Sequence, residues 1–141
     1  MEIPAELKPF FKDEHFVSYP KVKIPQEFSD NRGIIRNIAD GSFSDVAVIE
    51  SKKGSIRANH IHSGDWHICY LVYGQMEYSW ADSIESKPRK ILILKGELFF
   101  TPPKVPHRMM FLEDSCFIAV AKLSRLQTNY EEDTKRLDDF F

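Results

Sequence analysis

Between Val46 and Lys122 the chain is a succession of short runs rich in Val, Ile, Phe and Tyr, each closed by a turn signal. The runs are Val46 to Glu50, Ser55 to His62, Ile68 to Tyr73, Met76 to Trp80, Ile91 to Leu94, Glu97 to Thr101, Arg108 to Glu113 and Cys116 to Lys122. The separators are Lys52-Lys53-Gly54, Ser63-Gly64-Asp65, Tyr73-Gly74, Ser86-Lys87-Pro88, Lys95-Gly96, Pro102-Pro103 and Glu113-Asp114. Parallel strands need long crossovers, usually helical, and none of these separators is long enough to supply one. The pattern therefore predicts an all-β protein, an antiparallel sandwich or barrel.

The 141 residues make one domain. Residues 1–21 carry several Pro and the cluster Phe10, Phe11 and Phe16, which reads as an arm that docks aromatic groups. Residues 22–123 form the barrel. Residues 124–141 are expected to contain a C-terminal helix, because Asn129 followed by Glu132 resembles an N-terminal capping box and Tyr130, Thr134 and Leu137 would share its face.

A 43% hydrophobic and 28% charged composition supports a packed core, and the formal charge of −2 offers no basic face for nucleic acid or an acidic membrane. The longest apolar stretches, Ile91 to Leu94 and Cys116 to Ala121, fall far short of the roughly 20 residues that cross a bilayer. Met1-Glu2-Ile3-Pro4 does not read as a signal peptide, and Cys69 and Cys116 sit in apolar runs as buried reduced thiols. Small molecules and proteins remain as partners, and a cytoplasmic location is expected.

Of the five His, only His15 lies outside the strand-rich centre, and it reads as a structural residue. Residues two apart in a strand share a face, so His60 and His62 present two imidazoles to one point. The turn after His62 returns His67 beside them, and the proline-stiffened segment Thr101 to Pro106 delivers His107. Burying these rings without a partner is costly, and neutral imidazole is a borderline ligand. The set His60, His62, His67 and His107 is thus expected to hold one divalent transition metal, Zn, Ni, Fe or Mn. Asp65 is an alternative ligand to His67.

The segment Gly54-Ser55-Ile56-Arg57-Ala58-Asn59-His60-Ile61-His62, followed by His67 and Gly74, resembles the first motif of the cupins. Gly96 to His107 resembles the second, with Pro102 and His107 in register. His67 stands where cupins usually carry Glu, and Lys104 where they carry Gly. The resemblance implies a double-stranded β-helix, or jelly-roll barrel. Within the superfamily, Phe28 to Ile35 leading into Ile56-Arg57-Ala58-Asn59-His60 is similar to the dTDP-4-dehydrorhamnose 3,5-epimerase-like and dTDP-sugar 3,4-ketoisomerase-like proteins. In the latter, an Arg-x-x-His-x-His segment supplies catalytic imidazoles at the positions of His60 and His62. The resemblance also implies a homodimer, formed by exchange of the N-terminal arm.

Four neutral imidazoles leave a divalent cation its full charge, so an anionic or enolisable substrate is expected. The leading expectation is an isomerase or epimerase of a nucleotide-linked keto-deoxysugar in cell-surface polysaccharide synthesis. An Fe(II) dioxygenase of the all-His type and a non-catalytic sugar- or metabolite-binding module are the alternatives. Parity puts Tyr73 on the His67 face, making it the candidate proton carrier beside His60 and His62. Arg57, Arg108 and Tyr78 are candidate substrate-binding residues, with Arg57 facing inward only if its strand carries a bulge.

Overall fold

A computed structural model of the protein describes residues 2–126 and 131–141. One five-stranded antiparallel sheet has the order β1 (Lys21–Val22), β9 (Leu98–Thr101), β6 (His67–Tyr73), β11 (Ser115–Ala121), β4 (Asp45–Ser51). The other has the order β12 (Thr134–Arg136), β5 (Ile56–His62), β10 (His107–Phe111), β7 (Gln75–Trp80), β8 (Arg89–Leu94). A separate hairpin pairs β2 (Gln26–Asp30) with β3 (Gly33–Asn37). The chain passes repeatedly between the two large sheets, and this is the expected jelly-roll barrel. Among the described residues, no helix is long and apolar enough to cross a membrane.

Alternation explains the core. In β10, His107, Met109 and Phe111 are buried while Arg108 and Met110 between them are half-buried. The inward set packs with Leu71, Met76, Tyr78, Ile93, Phe99 and Phe117 to fill the closed end of the barrel. Strand β6 is apolar on both faces because its outer face is also covered: Ile68, Leu98, Phe100 and Val120 meet Ile3, Leu7, Phe11 and Phe16 of the N-terminal segment. That segment, with 3-10 turns at Ala5–Leu7 and Asp13–Phe16, lies on its own barrel. Its aromatic residues already find apolar surface within the chain.

The C-terminal helix is present, but Thr134 is not on it. Asn129 and Tyr130 lie outside the described residues, and of the described residues, 131–133 are helical. Thr134, expected on its face, instead opens β12, which pairs with β5. Long-range strand pairing satisfies the backbone there more fully than another turn of an isolated helix.

Gly74, at the β6–β7 turn, has φ +96°, and a Cβ there would collide with Ser115. Gly96 has φ +85° but has open space, its nearest neighbour being Tyr70 Oη at 4.0 Å. Gly74→Ala is expected to cost about 2–3 kcal/mol and Gly96→Ala about 1 kcal/mol, the difference being the steric term. Urea denaturation of the two variants checks that ranking.

Candidate active site

The four central His meet at one end of the barrel, all buried. Ring centroids are 4.4 Å apart for His60–His62, 4.7 Å for His60–His107 and 4.9 Å for His62–His67. Register explains the convergence: β10 and β5 pair with His107 opposite His60, and opposed residues project to the same face.

Their ligand atoms fall into two groups that overlap at His62. One ligand nitrogen from each of His60, His62 and His107 lies within 4.8 Å of the others, whereas His67 groups with His62 and Asp65. His67 Nε2 lies 2.8 Å from Asp65 Oδ2. The four histidines expected from spacing are thus distributed over the triad His60–His62–His107 and the group His62–Asp65–His67, with His67 turned toward Asp65. Asp65 is buried, held by the Leu123 N–H at 2.9 Å, instead of solvated on its turn. Burial pushes its carboxyl up, but hydrogen bonds from His67 and the Leu123 amide outweigh this and hold it below the usual carboxylate range.

The triad nitrogens suit a metal. His107 Nδ1 donates to the Val105 carbonyl at 2.9 Å, which directs the Nε2 lone pair into the cluster, where that atom has no hydrogen-bond partner among the described residues. His62 Nδ1 lies 3.3 Å from Asp133 Oδ2 and 3.2 Å from Thr134 Oγ1, an outer contact of the kind that sets the tautomer of a ligating imidazole. Burial, with repulsion among the rings, lowers His60 to about 2, while burial is the main cause lowering His62 to about 4 and His107 to about 3. All three rings are therefore neutral at pH 7, the form that ligates a divalent cation. No family of ions is singled out by three imidazoles; Zn, Fe, Ni and Mn all accept such a set.

Beside the rings lies a cavity of about 290 Å³, bordered by Arg57, Arg125 and Arg136 among polar groups. Arg57 reaches it through a bulge. Ala58 and Asn59 have φ of 65° and 59°, and the β5–β10 register shifts there, so Arg57 pairs opposite inward-facing Met109. Its Nε donates to Ser51 Oγ at 2.6 Å and its Nη2 to the Glu50 carbonyl at 2.9 Å. A larger cavity of about 690 Å³ lies between the N-terminal segment and the barrel, beside Trp66 and Pro102, and no imidazole borders it.

Three candidates named from sequence fall elsewhere. Tyr73 keeps the parity of His67 but sits six residues along β6, roughly 20 Å away, and is 45% exposed. Parity sets the face and says nothing of depth. Arg108 projects opposite to His107 and Met109, toward the Phe141 ring at 5.6 Å. Tyr78 is fully buried, bonded to Thr101 Oγ1, and stacks behind His107 with centroids 6.3 Å apart. It supports a site residue and cannot touch a ligand. His15 is the structural residue expected, its Nδ1 accepting the Lys12 N–H at 3.0 Å.

Sequence reasoning missed Asp133, Thr134 and Arg136 as site residues. Asp133 accepts the Gly64 and Asp65 amides at 2.7 and 3.1 Å and so fixes the turn between His62 and His67. No local signal marks these residues, because their place depends on β12 meeting β5.

No protein-family model matches the sequence, and comparison with curated proteins yields no match. Solved structures do match in fold. The dTDP-4-dehydrorhamnose 3,5-epimerase of Sulfolobus tokodaii is 18% identical, with TM-score 0.64 over 82% of this chain and 73% of that one. QdtA, a sugar 3,4-ketoisomerase from Thermoanaerobacterium thermosaccharolyticum solved with TDP, is 16% identical, with TM-score 0.66 over 82% and 85%. The fold is the cupin fold. The capsular polysaccharide assembling protein CapF of Staphylococcus aureus is 21% identical, with TM-score 0.61 over 85% of this chain and 35% of that one.

Imidazoles with depressed pKa values contribute stability that is fully present above their unfolded value of 6.5 and is lost as pH falls below it toward the folded values. Metal-free protein is expected to lose at least about 1 kcal/mol per pH unit between pH 6 and 4, with a shallower slope in His60→Asn. Urea midpoints across that range test this. A flat profile would mean the rings are not held neutral.

Proposed function

We propose that this cupin is an isomerase or epimerase acting on a nucleotide-linked keto-deoxysugar, in the synthesis of a cell-surface polysaccharide. The observation that carries the reading is the convergence of His60, His62 and His107, neutral and buried, with the His67–Asp65 pair beside an arginine-bordered cavity. The fold likeness to an epimerase and a ketoisomerase supports it.

A divalent metal held by His60, His62 and His107 would act as a Lewis acid, stabilising negative charge that develops on a substrate oxygen. His67 is the base in this reading. Asp65 holds its Nε2–H, which leaves Nδ1 to accept the proton from the carbon next to the carbonyl. The electron pair of that C–H bond forms the C=C bond of an enolate while the carbonyl π pair moves onto oxygen. The proton held on His67 exchanges with solvent. A solvent-derived proton is then delivered either to the neighbouring carbon, the adjacent hydroxyl giving its proton to the enolate oxygen, or to the opposite face of the same carbon from water, His67 returning its own proton to solvent. Arg57, fixed by Ser51 and the Glu50 carbonyl, is placed to bind an anionic group of the substrate.

Incubation with dTDP-4-keto-6-deoxyglucose in deuterated water is expected to place deuterium on a carbon beside the carbonyl. His67→Asn should slow that exchange by about 10²–10⁴-fold. Protein purified without chelators is expected to hold about one metal equivalent, lost in His107→Ala. Absence of exchange with any 4-keto-6-deoxyhexose nucleotide would overturn the assignment. The three-histidine set also favours a second reading, the Fe(II) dioxygenase, which iron content with substrate-dependent oxygen uptake would establish.

The homodimer is part of the proposal, with the hairpin β2–β3 as its contact. A two-stranded hairpin with no buried face is marginal in water, yet Phe28 and Ile35 lie on one face of it, 58% and 67% exposed. Strand β4 is an open sheet edge carrying exposed Val46 and Val48. Hairpin and β4 both present exposed apolar residues and an unpaired edge, the features that invite a second copy of the chain. Sedimentation at micromolar concentration is expected to show a dimer, and Phe28→Asp/Ile35→Asp a monomer. A wild-type monomer sinks this part alone.

A further inference from the structure

We propose that Arg136, delivered by the C-terminal strand, is an anion-binding residue of the imidazole pocket and grips, together with Arg57, the phosphate groups of the substrate. The proposal rests on the functional reading above and adds to it the residue and the chemical group recognised.

The geometry starts from the β12–β5 ladder, in which Thr134 pairs with His62, Lys135 with Ile61 and Arg136 with His60. Opposed residues share a face, so Thr134 and Arg136 project to the pocket side and Lys135 to the other. Thr134 bears this out, its Oγ1 standing 3.2 Å from His62 Nδ1. Arg136 borders the 290 Å³ cavity directly.

The charges around that cavity are one-sided. Arg57, Arg125 and Arg136 border it, and among the described residues no carboxylate does. Arg125 is neutralised, its Nε 2.8 Å from Asp45 Oδ2. Arg57 bonds only to neutral oxygens, and neither it nor Arg136 forms an ion pair with any described residue. Two uncompensated guanidiniums at one cavity repel each other, and an anion between them converts that repulsion into attraction. Arg57 lies three residues before His60 and Arg136 lies opposite it, which sets their Cα atoms roughly 10 Å apart. Two long side chains can converge across that span on a diphosphate, each offering a planar fork matched to phosphate oxygens.

The test measures equilibrium binding of dTDP and of inorganic diphosphate to wild type, Arg136→Gln, Arg136→Lys and Arg108→Gln, with circular dichroism and melting of each. Arg136→Gln is expected to weaken dTDP binding by about 10–100-fold, the loss of a charge-assisted contact. It should raise KM by a similar factor with kcat within a few-fold, and flatten the salt dependence of binding. Arg136→Lys keeps the charge and should lose several-fold, while Arg108→Gln, facing the outer side, should bind as wild type does.

If Arg136→Gln and Arg136→Lys both bind dTDP as tightly as wild type, the proposal is wrong. If Arg136→Gln proves unfolded, Arg136→Lys decides: wild-type affinity and salt slope in that variant overturn the assignment. Should wild type bind diphosphate through Arg136 but not dTDP, the anion site stands and the nucleotide reading falls. Binding of neither probe removes the anion site whatever the reaction.

Discussion

Strand β5 is the element on which the site depends, because it is paired on both flanks. On one side β10 sets His107 opposite His60, and on the other β12 sets Arg136 opposite the same residue. Each ladder is a row of obligatory backbone hydrogen bonds, so a slip of one residue would turn the imidazoles from the pocket to the outer face. The bulge at Ala58 and Asn59 takes up one residue of that register and lets Arg57 face the same cavity as His60. A strand without it would leave the pocket one cation poorer.

Gathering buried imidazoles is expensive, and the structure offsets the cost with outer partners. Val105 fixes His107, Asp133 and Thr134 fix His62, and Asp65 fixes His67. Each partner belongs to a different segment of chain, which makes the pocket a meeting of the second cupin motif, the β5–β6 turn and the C-terminus. Protonation of the rings is opposed twice, since burial disfavours charge on each and a second charged ring would repel the first. What remains is a set of neutral lone pairs held at ligand spacing, beside a cavity bordered by guanidiniums. Such a combination is complementary in chemistry to a cation at the rings and to an anion at the cavity.

Under the proposed function, the contact of His67 with Asp65 separates two tasks that a four-histidine cluster would merge. A ring that ligates a metal has committed its lone pair and cannot also accept a proton. His67, turned toward Asp65, keeps that capacity.

Much of this protein was legible in its residues. Period-two alternation and Gly at the turns announced an antiparallel barrel, because side-chain direction and positive φ are local properties. Lys104, standing where a Gly is usual, takes φ 65° and holds the same turn. The His60-x-His62 pair was legible for the same local reason. Tyr73, Arg108 and Tyr78 were misplaced because parity assigns a face but not a depth, and because a face of one strand is known only once its neighbours are. The C-terminus is the clearest case: its helical cap signal acts over one turn, while Thr134 and Arg136 are placed by a strand more than 70 residues away in sequence. Composition and pattern alone determined the barrel, its turns and which histidines could meet; tertiary pairing decided which did, in what tautomer and beside which charges, since those depend on contacts no local stretch contains.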